Sequence, residues 1–198
     1  MHQMQVFDTV FVAMVVFCFI IRAPWEYRNK KVKPTESRDN GREKFNLMLV
    51  FTGSATMPVL YLVTSWFDFA NYPISVVQGV CGSGIALLGV YMFWKSHADL
   101  GRQFSPTLEV KEAHALVSHG IYSRIRHPMY TAAFLLSIAQ LLLLANFVVG
   151  PAFLLAFSIL YFSRIDQEEK MMLDHFGSHY TAYTKRTNRL LPLFKKTE

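Results

Sequence analysis

Two short segments contain residue types that can hold a charged ligand. In the first, His127 and Tyr130 flank Pro128, which suits the first position of a helix because its missing N–H has no helical partner there. In the second, Arg164 and Glu168 are four residues apart and so share one face of a helix. A helix N-terminus attracts anions, and a guanidinium orients a carboxylate through paired donors. These residues predict a site for a polar ligand.

The first segment belongs to a basic stretch, residues 116–130, that changes abruptly into a long apolar run. Gly120 permits a tight turn within it. Tyr122, Arg124 and Arg126 add further donors and an aromatic ring close to Pro128. If Pro128 begins a membrane helix, the polar site lies at the membrane edge.

Each feature alone also has a structural interpretation. Arg164 and Glu168 are consistent with an ordinary helical ion pair worth a few tenths of a kcal/mol. His175 and His179 have a spacing that fits two metal ligands, but no third ligand is evident and a structural zinc normally has four. We therefore predict no metal site. The functional interpretation of Arg164 depends on its meeting His127 at one depth.

Long apolar stretches supply the helices that would position these residues. The chain is 52% hydrophobic and 17% charged, and residues 128–163 contain no Asp, Glu, Lys or Arg. Because a spanning helix needs roughly 20 apolar residues, we predict an all-α integral membrane protein with one domain, residues 1–198. Its five spans are residues 4–21, 45–67, 72–94, 128–145 and 147–163. Asn146 and Gly150 favour a tight turn between the last two, which form a hairpin.

The distribution of charge predicts the orientation of the chain. With these spans, all 20 Lys and Arg residues fall on one side of the membrane. Since cytoplasmic loops collect Lys and Arg, the N-terminus is expected outside and the C-terminus in the cytoplasm, with residues 95–127 and 164–198 forming the cytoplasmic part. The net charge of +6 is thus explained by anionic membrane lipids rather than by nucleic acid.

Within the spans, small residues have packing roles. Cys18 and Cys81 are expected as small buried hydrophobes rather than as a disulfide. Gly79 and Ser83 lie one helical turn apart, which favours close helix packing, either within the chain or between two copies. The first span has no basic segment before it, which argues against a cleaved signal peptide. The charged segment 22–44 is expected to be a solvated linker.

The motifs together resemble the isoprenylcysteine carboxyl methyltransferase family. The resemblance covers roughly residues 95–194, and the first two spans carry no matching motif. The short length is similar to that of the prokaryotic members, which have five spans, and implies a prokaryotic cell membrane. The motifs that carry the resemblance are His114-Ala115-Leu116-Val117, Gly120-Ile121-Tyr122, Arg126-His127-Pro128-Met129-Tyr130, Arg164 with Glu168-Glu169, Phe176-Gly177, Tyr180, Tyr183 and Pro192.

The resemblance implies S-adenosylmethionine as the cofactor, in a pocket that the C-terminal segment caps. The implied cofactor contacts are His114, Ala115, Leu116, Val117, Tyr122, His127, Pro128, Met129, Tyr130 and Glu168. The first five line the pocket, the next four hold the methionine and adenosine moieties, and Glu168 is the acidic contact. The family has one more contact within residues 103–107, where this chain departs from the pattern. Arg164 matches the residue that meets the substrate carboxylate.

The implied reaction is that of a protein-S-isoprenylcysteine O-methyltransferase, in which the C-terminal carboxylate of a prenylated cysteine is methylated. A carboxylate has a pKa near ~4, so it is ionised at neutral pH and needs positioning rather than a general base. One alternative is a phospholipid or amine N-methyltransferase of the same superfamily, in which Arg164 would not assist a cationic nucleophile. Another is a non-catalytic membrane scaffold.

Overall fold

The described part of the computed structural model, residues 6–29, 36–37, 41–101, 109–110 and 116–192, is almost entirely helical. Two short strands, β1 (Glu36–Ser37) and β2 (Glu109–Val110), pair antiparallel. The predicted all-α fold class is confirmed. The helices are α1 (Val6–Asn29), α2 (Gly41–Phe51), α3 (Met57–Val63), α4 (Val76–Leu100), α5 (Pro128–Leu143), α6 (Val149–Phe176) and α7 (Ser178–Thr184), with 3₁₀ turns at Asp68–Ala70 and Gly120–Ser123.

Helices cover all five predicted spans, with shifted boundaries. Four are long and apolar enough to cross a membrane: Val6–Tyr27, Gly41–Val63, Val76–Leu100 and Val149–Phe176. The second begins at Gly41 rather than at residue 45, so the linker expected over 22–44 is helical at both of its ends. The fifth predicted span, α5, has 16 residues and is about 24 Å long. Because this length is short for a membrane span, the total of five spans stays a prediction.

A π-helical segment, Thr52–Thr56, joins α2 to α3. This segment packs closely against α6. A side chain at Gly53 would lie 2.8 Å from the backbone oxygen of Ala152. The buried Gln140 of α5 donates its amide to the carbonyls of Gly53 at 2.9 Å and Val149 at 2.8 Å. One polar side chain thus ties the π segment, α5 and α6 together inside an apolar bundle.

The predicted hairpin is confirmed and turns at residues 144–148, between α5 and α6. Buried Asn146 closes it, because its Oδ1 accepts the backbone N–H groups of Val148 at 3.0 Å and Val149 at 2.9 Å. Its Nδ2 donates to the Phe67 carbonyl at 2.7 Å. The hairpin returns α6 alongside α5, so the start of α5 and the second half of α6 lie at one end of the bundle.

Small residues of α4 pack against other helices of the same chain, which is one of the two alternatives that the sequence left open. A side chain at Gly82 would lie 3.0 Å from Leu142 of α5, and one at Gly79 would overlap the ring of Phe7 in α1. Both cysteines are free thiols. The prediction that both are buried is wrong for Cys81, which is exposed, and holds only in part for Cys18, which is half-buried.

Candidate active site

Glu168 lies at the centre of a cluster at the base of the α5–α6 hairpin. The Tyr130 hydroxyl donates to its Oε2. His127 Nδ1 is 3.6 Å from Glu168 Oε1, and Arg164 Nε is 3.5 Å from Glu168 Oε2. The structure therefore brings together the four residues that the sequence placed at one depth. The i,i+4 pair of Arg164 and Glu168 is one side of a larger network.

The neighbouring Glu169 carries a second network that the sequence reasoning missed. Its Oε1 accepts from Arg126 Nε at 2.9 Å and lies 3.3 Å from His127 Nε2. Its Oε2 accepts from Arg189 Nε at 2.9 Å. The Glu168-Glu169 pair was visible in the motif, but the partners of Glu169 come from the segment before α5 and from the C-terminal segment. No local spacing reveals that combination.

The two carboxylates bracket the buried imidazole of His127, one at each ring nitrogen. Burial alone lowers the pKa of His127, because it disfavours the charged form. Hydrogen bonds and negative charge from Glu168 and Glu169 act in the opposite direction and outweigh it, so the pKa of His127 is raised above 6.5. The two carboxylates therefore favour the protonated form of this imidazole.

The C-terminal segment folds against this cluster. The backbone N–H groups of Arg126 and His127 donate to the carbonyls of Asn188 at 2.8 Å and Arg189 at 2.9 Å. The guanidinium of Arg126 also donates to the carbonyl of Thr187. The C-terminal segment therefore packs against the base of the α5–α6 hairpin.

The turn ahead of α5 is fixed by a residue that the sequence did not indicate, Asp99 of α4. Its Oδ2 accepts the Ile121 N–H at 2.7 Å. Gly120 has a φ of +57°, and a side chain there would overlap the Asp99 carboxylate. The predicted glycine turn is confirmed for both reasons.

Beside this turn, Tyr183 of α7 donates its hydroxyl to the Tyr122 carbonyl at 2.6 Å, and burial raises the pKa of Tyr183 to about 12.

A cavity of about 770 Å³ opens from the cluster into the bundle. Its wall contains nine of the eleven predicted site residues: Leu116, Val117, Tyr122, His127, Pro128, Met129, Tyr130, Arg164 and Glu168. His114 and Ala115, and the contact expected within 103–107, lie outside the described residues. The predicted residues thus line one continuous space.

The far end of the same cavity is apolar and is lined by residues that lie outside the recognised motifs. Phe11 and Met14 of α1, Ala55 of the π segment and Phe153 of α6 line it. Further residues of α1, and Leu47, Val50 and Phe51 in the second half of α2, also line the cavity. The sequence reasoning missed these residues, since an apolar residue in a span has the same pattern whether it faces lipid, a helix or a cavity.

Arg164 has a second acidic neighbour, Glu43, near the start of α2. Arg164 Nη1 is 3.3 Å from Glu43 Oε1, and both side chains are largely buried. One turn further along α2, Asn46 Nδ2 donates to Ser163 Oγ at 2.8 Å. The prediction that Glu43 belongs to a solvated linker is wrong, because α2 begins two residues before Glu43 and packs on α6.

The fold and the site define a class: helical membrane proteins with a polar pocket at one end of the bundle that continues into an apolar cavity. Residues 82–174 match the isoprenylcysteine carboxyl methyltransferase (ICMT) family. The resemblance to this family of enzymes that the motifs indicated is thereby confirmed.

Among its relatives, the chain is 33% identical over 125 residues to the protein-S-isoprenylcysteine O-methyltransferase of Schizosaccharomyces pombe, covering 62% of this chain and 52% of the relative. It is 36% identical over 87 residues to the Xenopus laevis enzyme of that name, covering 44% and 30%. The chain thus spans about half the length of the fission-yeast relative.

A solved structure of the eukaryotic intramembrane Ras methyltransferase ICMT has the same fold. It matches 96% of this chain and 70% of its own, with a TM-score of 0.53 and 22% sequence identity. The agreement in fold extends over α1 to α3, where the sequence carries no motif.

Proposed function

We propose that this chain is an S-adenosylmethionine-dependent methyltransferase that acts on the C-terminal carboxylate of a prenylated cysteine, or on a similar lipophilic carboxylate, at the cytoplasmic membrane face. One observation carries the proposal. The Arg164–Glu168 cluster and the apolar surface around Phe11 and Phe153 line the same cavity. A substrate with a charged head and a long apolar chain matches such a space in both of its parts.

The side chains at the polar end include groups that are complementary to S-adenosylmethionine. Glu168 offers carboxylate oxygens for the ammonium group, and His127, which lies between Glu168 and Glu169, helps to hold that carboxylate in place. Leu116 and Val117 supply apolar surface for the adenosine. When bound, the cofactor supplies an electrophilic methyl group on a sulfonium sulfur. Tyr130, stacked on His127 with ring centroids 5.5 Å apart, fixes the orientation of the imidazole.

Arg164 orients the substrate carboxylate. A guanidinium stays charged in a buried site and presents paired donors in a plane. The carboxylate is already ionised, so no base is required. Arg164 would hold one carboxylate oxygen toward the methyl group that the bound cofactor would supply. The protein contributes position and charge, which are the main requirements for a displacement of this kind.

The prenyl chain occupies the apolar end. A cavity of about 770 Å³ lies within the usual range of small-molecule sites. If the cluster lies at the cytoplasmic face, as the distribution of Lys and Arg favours, the residues of α1 and α2 that line the cavity lie at the depth of the bilayer interior. The lipid then enters from the membrane while the cofactor enters from water.

A labelled methyl-transfer assay tests the proposal with purified wild-type protein. We expect transfer to a farnesylcysteine or geranylgeranylcysteine carboxylate and none to the amine of phosphatidylethanolamine. The second candidate, amine methylation, is disfavoured because Arg164 would repel a cationic acceptor. Calorimetric titration with S-adenosylhomocysteine is expected to show binding. An absence of both binding and transfer would favour the non-catalytic scaffold.

A further inference from the structure

The guanidinium of Arg164 lies between carboxylates from two different helices. Its Nε is 3.5 Å from Glu168 Oε2 in its own helix, and its Nη1 is 3.3 Å from Glu43 Oε1 in α2. Side-chain exposure is 11% for Arg164 and 7% for Glu43, so solvent screens this pair weakly. Two carboxylates therefore share one positive charge beside the cavity.

Glu43 does not line the large cavity, whereas Arg164 does. Behind the guanidinium lies a separate space of about 20 Å³, which Glu43, Asn46, Ser163 and Arg164 line together. A ligand in the large cavity therefore reaches Arg164 first, and Glu43 can influence that ligand only through Arg164.

The strength of the grip on a nucleophile matters in this reaction. A guanidinium that neutralised the substrate carboxylate fully would bind it tightly and lower the electron density on the attacking oxygen. A second acceptor on the guanidinium weakens that grip and also fixes its plane. Interactions that stabilise the ground state more than the transition state lower both KM and kcat.

Resting on the proposed function, we infer that Glu43 is a positioning residue for Arg164. It holds the guanidinium in a fixed direction and shares its charge, so that the substrate carboxylate is oriented and still nucleophilic. The role predicts a kinetic signature that loss of structure does not produce, because the two effects of removing the charge act on KM and kcat in the same direction.

The experiment compares Glu43→Gln with the wild type in the full-length protein, using a farnesylcysteine acceptor. Glutamine keeps the size of the side chain and removes its charge. We expect KM for the acceptor to fall roughly threefold and kcat to fall roughly tenfold, since a freed guanidinium binds the carboxylate more tightly. Glu43→Asp is expected to give smaller changes of the same sign. Affinity for S-adenosylhomocysteine is expected to stay within about twofold of the wild type.

Asn46→Ala provides the matched control on the same helix face. It removes the hydrogen bond to Ser163 Oγ at 2.8 Å, so it loosens the α2–α6 contact without removing a charge near Arg164. We expect a lower melting temperature and unchanged KM and kcat.

Three results would overturn the inference: a raised KM in Glu43→Gln, kinetics equal to the wild type, or the same kinetic change in Asn46→Ala. If Glu43→Gln does not fold, the sign of the KM change in Glu43→Asp decides in the same way. A wild-type protein that transfers no methyl group would overturn the proposed function and this inference together, whereas an active wild type with insensitive variants overturns the inference alone.

Discussion

The α5–α6 hairpin and the α1–α2 helices line one cavity but differ in what their sequences must specify. The hairpin supplies fixed functional groups, among them His127, Tyr130, Arg164 and Glu168. The first two helices supply mainly apolar surface, which many combinations of residues provide equally well. Glu43 of α2 adds a charged group that reaches the hairpin through Arg164. A recognisable motif therefore marks where chemistry constrains residue type, whereas a cavity wall leaves no such mark.

The largest effect is expected from a variant in the hairpin that removes the group proposed to orient the substrate. Arg164→Ala should reduce methyl transfer at least a thousandfold, since the carboxylate loses its orienting partner. Binding of S-adenosylhomocysteine should remain within a few-fold of the wild type, as measured by calorimetry. Loss of transfer together with a comparable loss of cofactor affinity would contradict this division of roles.

A second hairpin variant tests the cofactor side of the cluster. His127→Ala removes the imidazole that lies between Glu168 and Glu169. We expect the affinity for S-adenosylhomocysteine to fall roughly 10- to 100-fold, because charged hydrogen bonds are worth about 1.5–3 kcal/mol. Tyr130→Phe should show a smaller loss. Unchanged affinity in both variants would show that the cluster has only a structural role.

A variant in the motif-free half sharpens the comparison. Ala55→Phe fills the cavity at the π segment, where Ala55 lines its wall. Because the added ring occupies space that the prenyl chain needs, kcat/KM for a farnesylcysteine acceptor should fall about tenfold. Affinity for S-adenosylhomocysteine should not change, since the polar end is untouched. Equal losses in both measurements would mean that the two ends of the cavity are not separate.

Two buried tyrosines of α7, Tyr180 and Tyr183, provide a matched pair of variants that tests the packing of the C-terminal segment. Tyr183 donates to the Tyr122 carbonyl, so Tyr183→Phe should cost about 1 kcal/mol of stability, visible as a lower melting temperature. The buried hydroxyl of Tyr180 has no hydrogen-bond partner among the described residues, so Tyr180→Phe should be neutral or slightly stabilising. A larger loss in Tyr180→Phe would contradict this assignment of hydrogen bonds.

The smallest effect is expected from pH. The pKa of His127 is raised above 6.5 in the folded state, so its contribution to stability is present in full below about pH 6.5 and is lost as the pH rises through the raised value. The melting temperature of the wild type should fall over that window. His127→Gln should lose this part of the pH dependence. An identical pH profile for the two proteins would show that the imidazole is not charged in the fold.

The sequence by itself determined the apolar helices, the α5–α6 hairpin and most of the site. Helical periodicity, the length of uncharged runs and the start of a helix at Pro128 are local properties, so they can be predicted without knowing what packs against what. The spacing of Arg164 and Glu168 is equally local. Because the two helices of a hairpin run antiparallel, the start of α5 lies beside the second half of α6. The cluster at the base of the hairpin was therefore predictable.

Only the tertiary structure decided which distant groups complete that cluster. Glu43 meets Arg164 because α2 packs on α6, and Arg189 meets Glu169 because the C-terminal segment pairs beside residues 125–127. Which apolar residues of α1 face the cavity was also settled by packing alone. Contacts between segments far apart in the chain depend on the relative rotation and depth of whole helices, which no spacing within one segment contains.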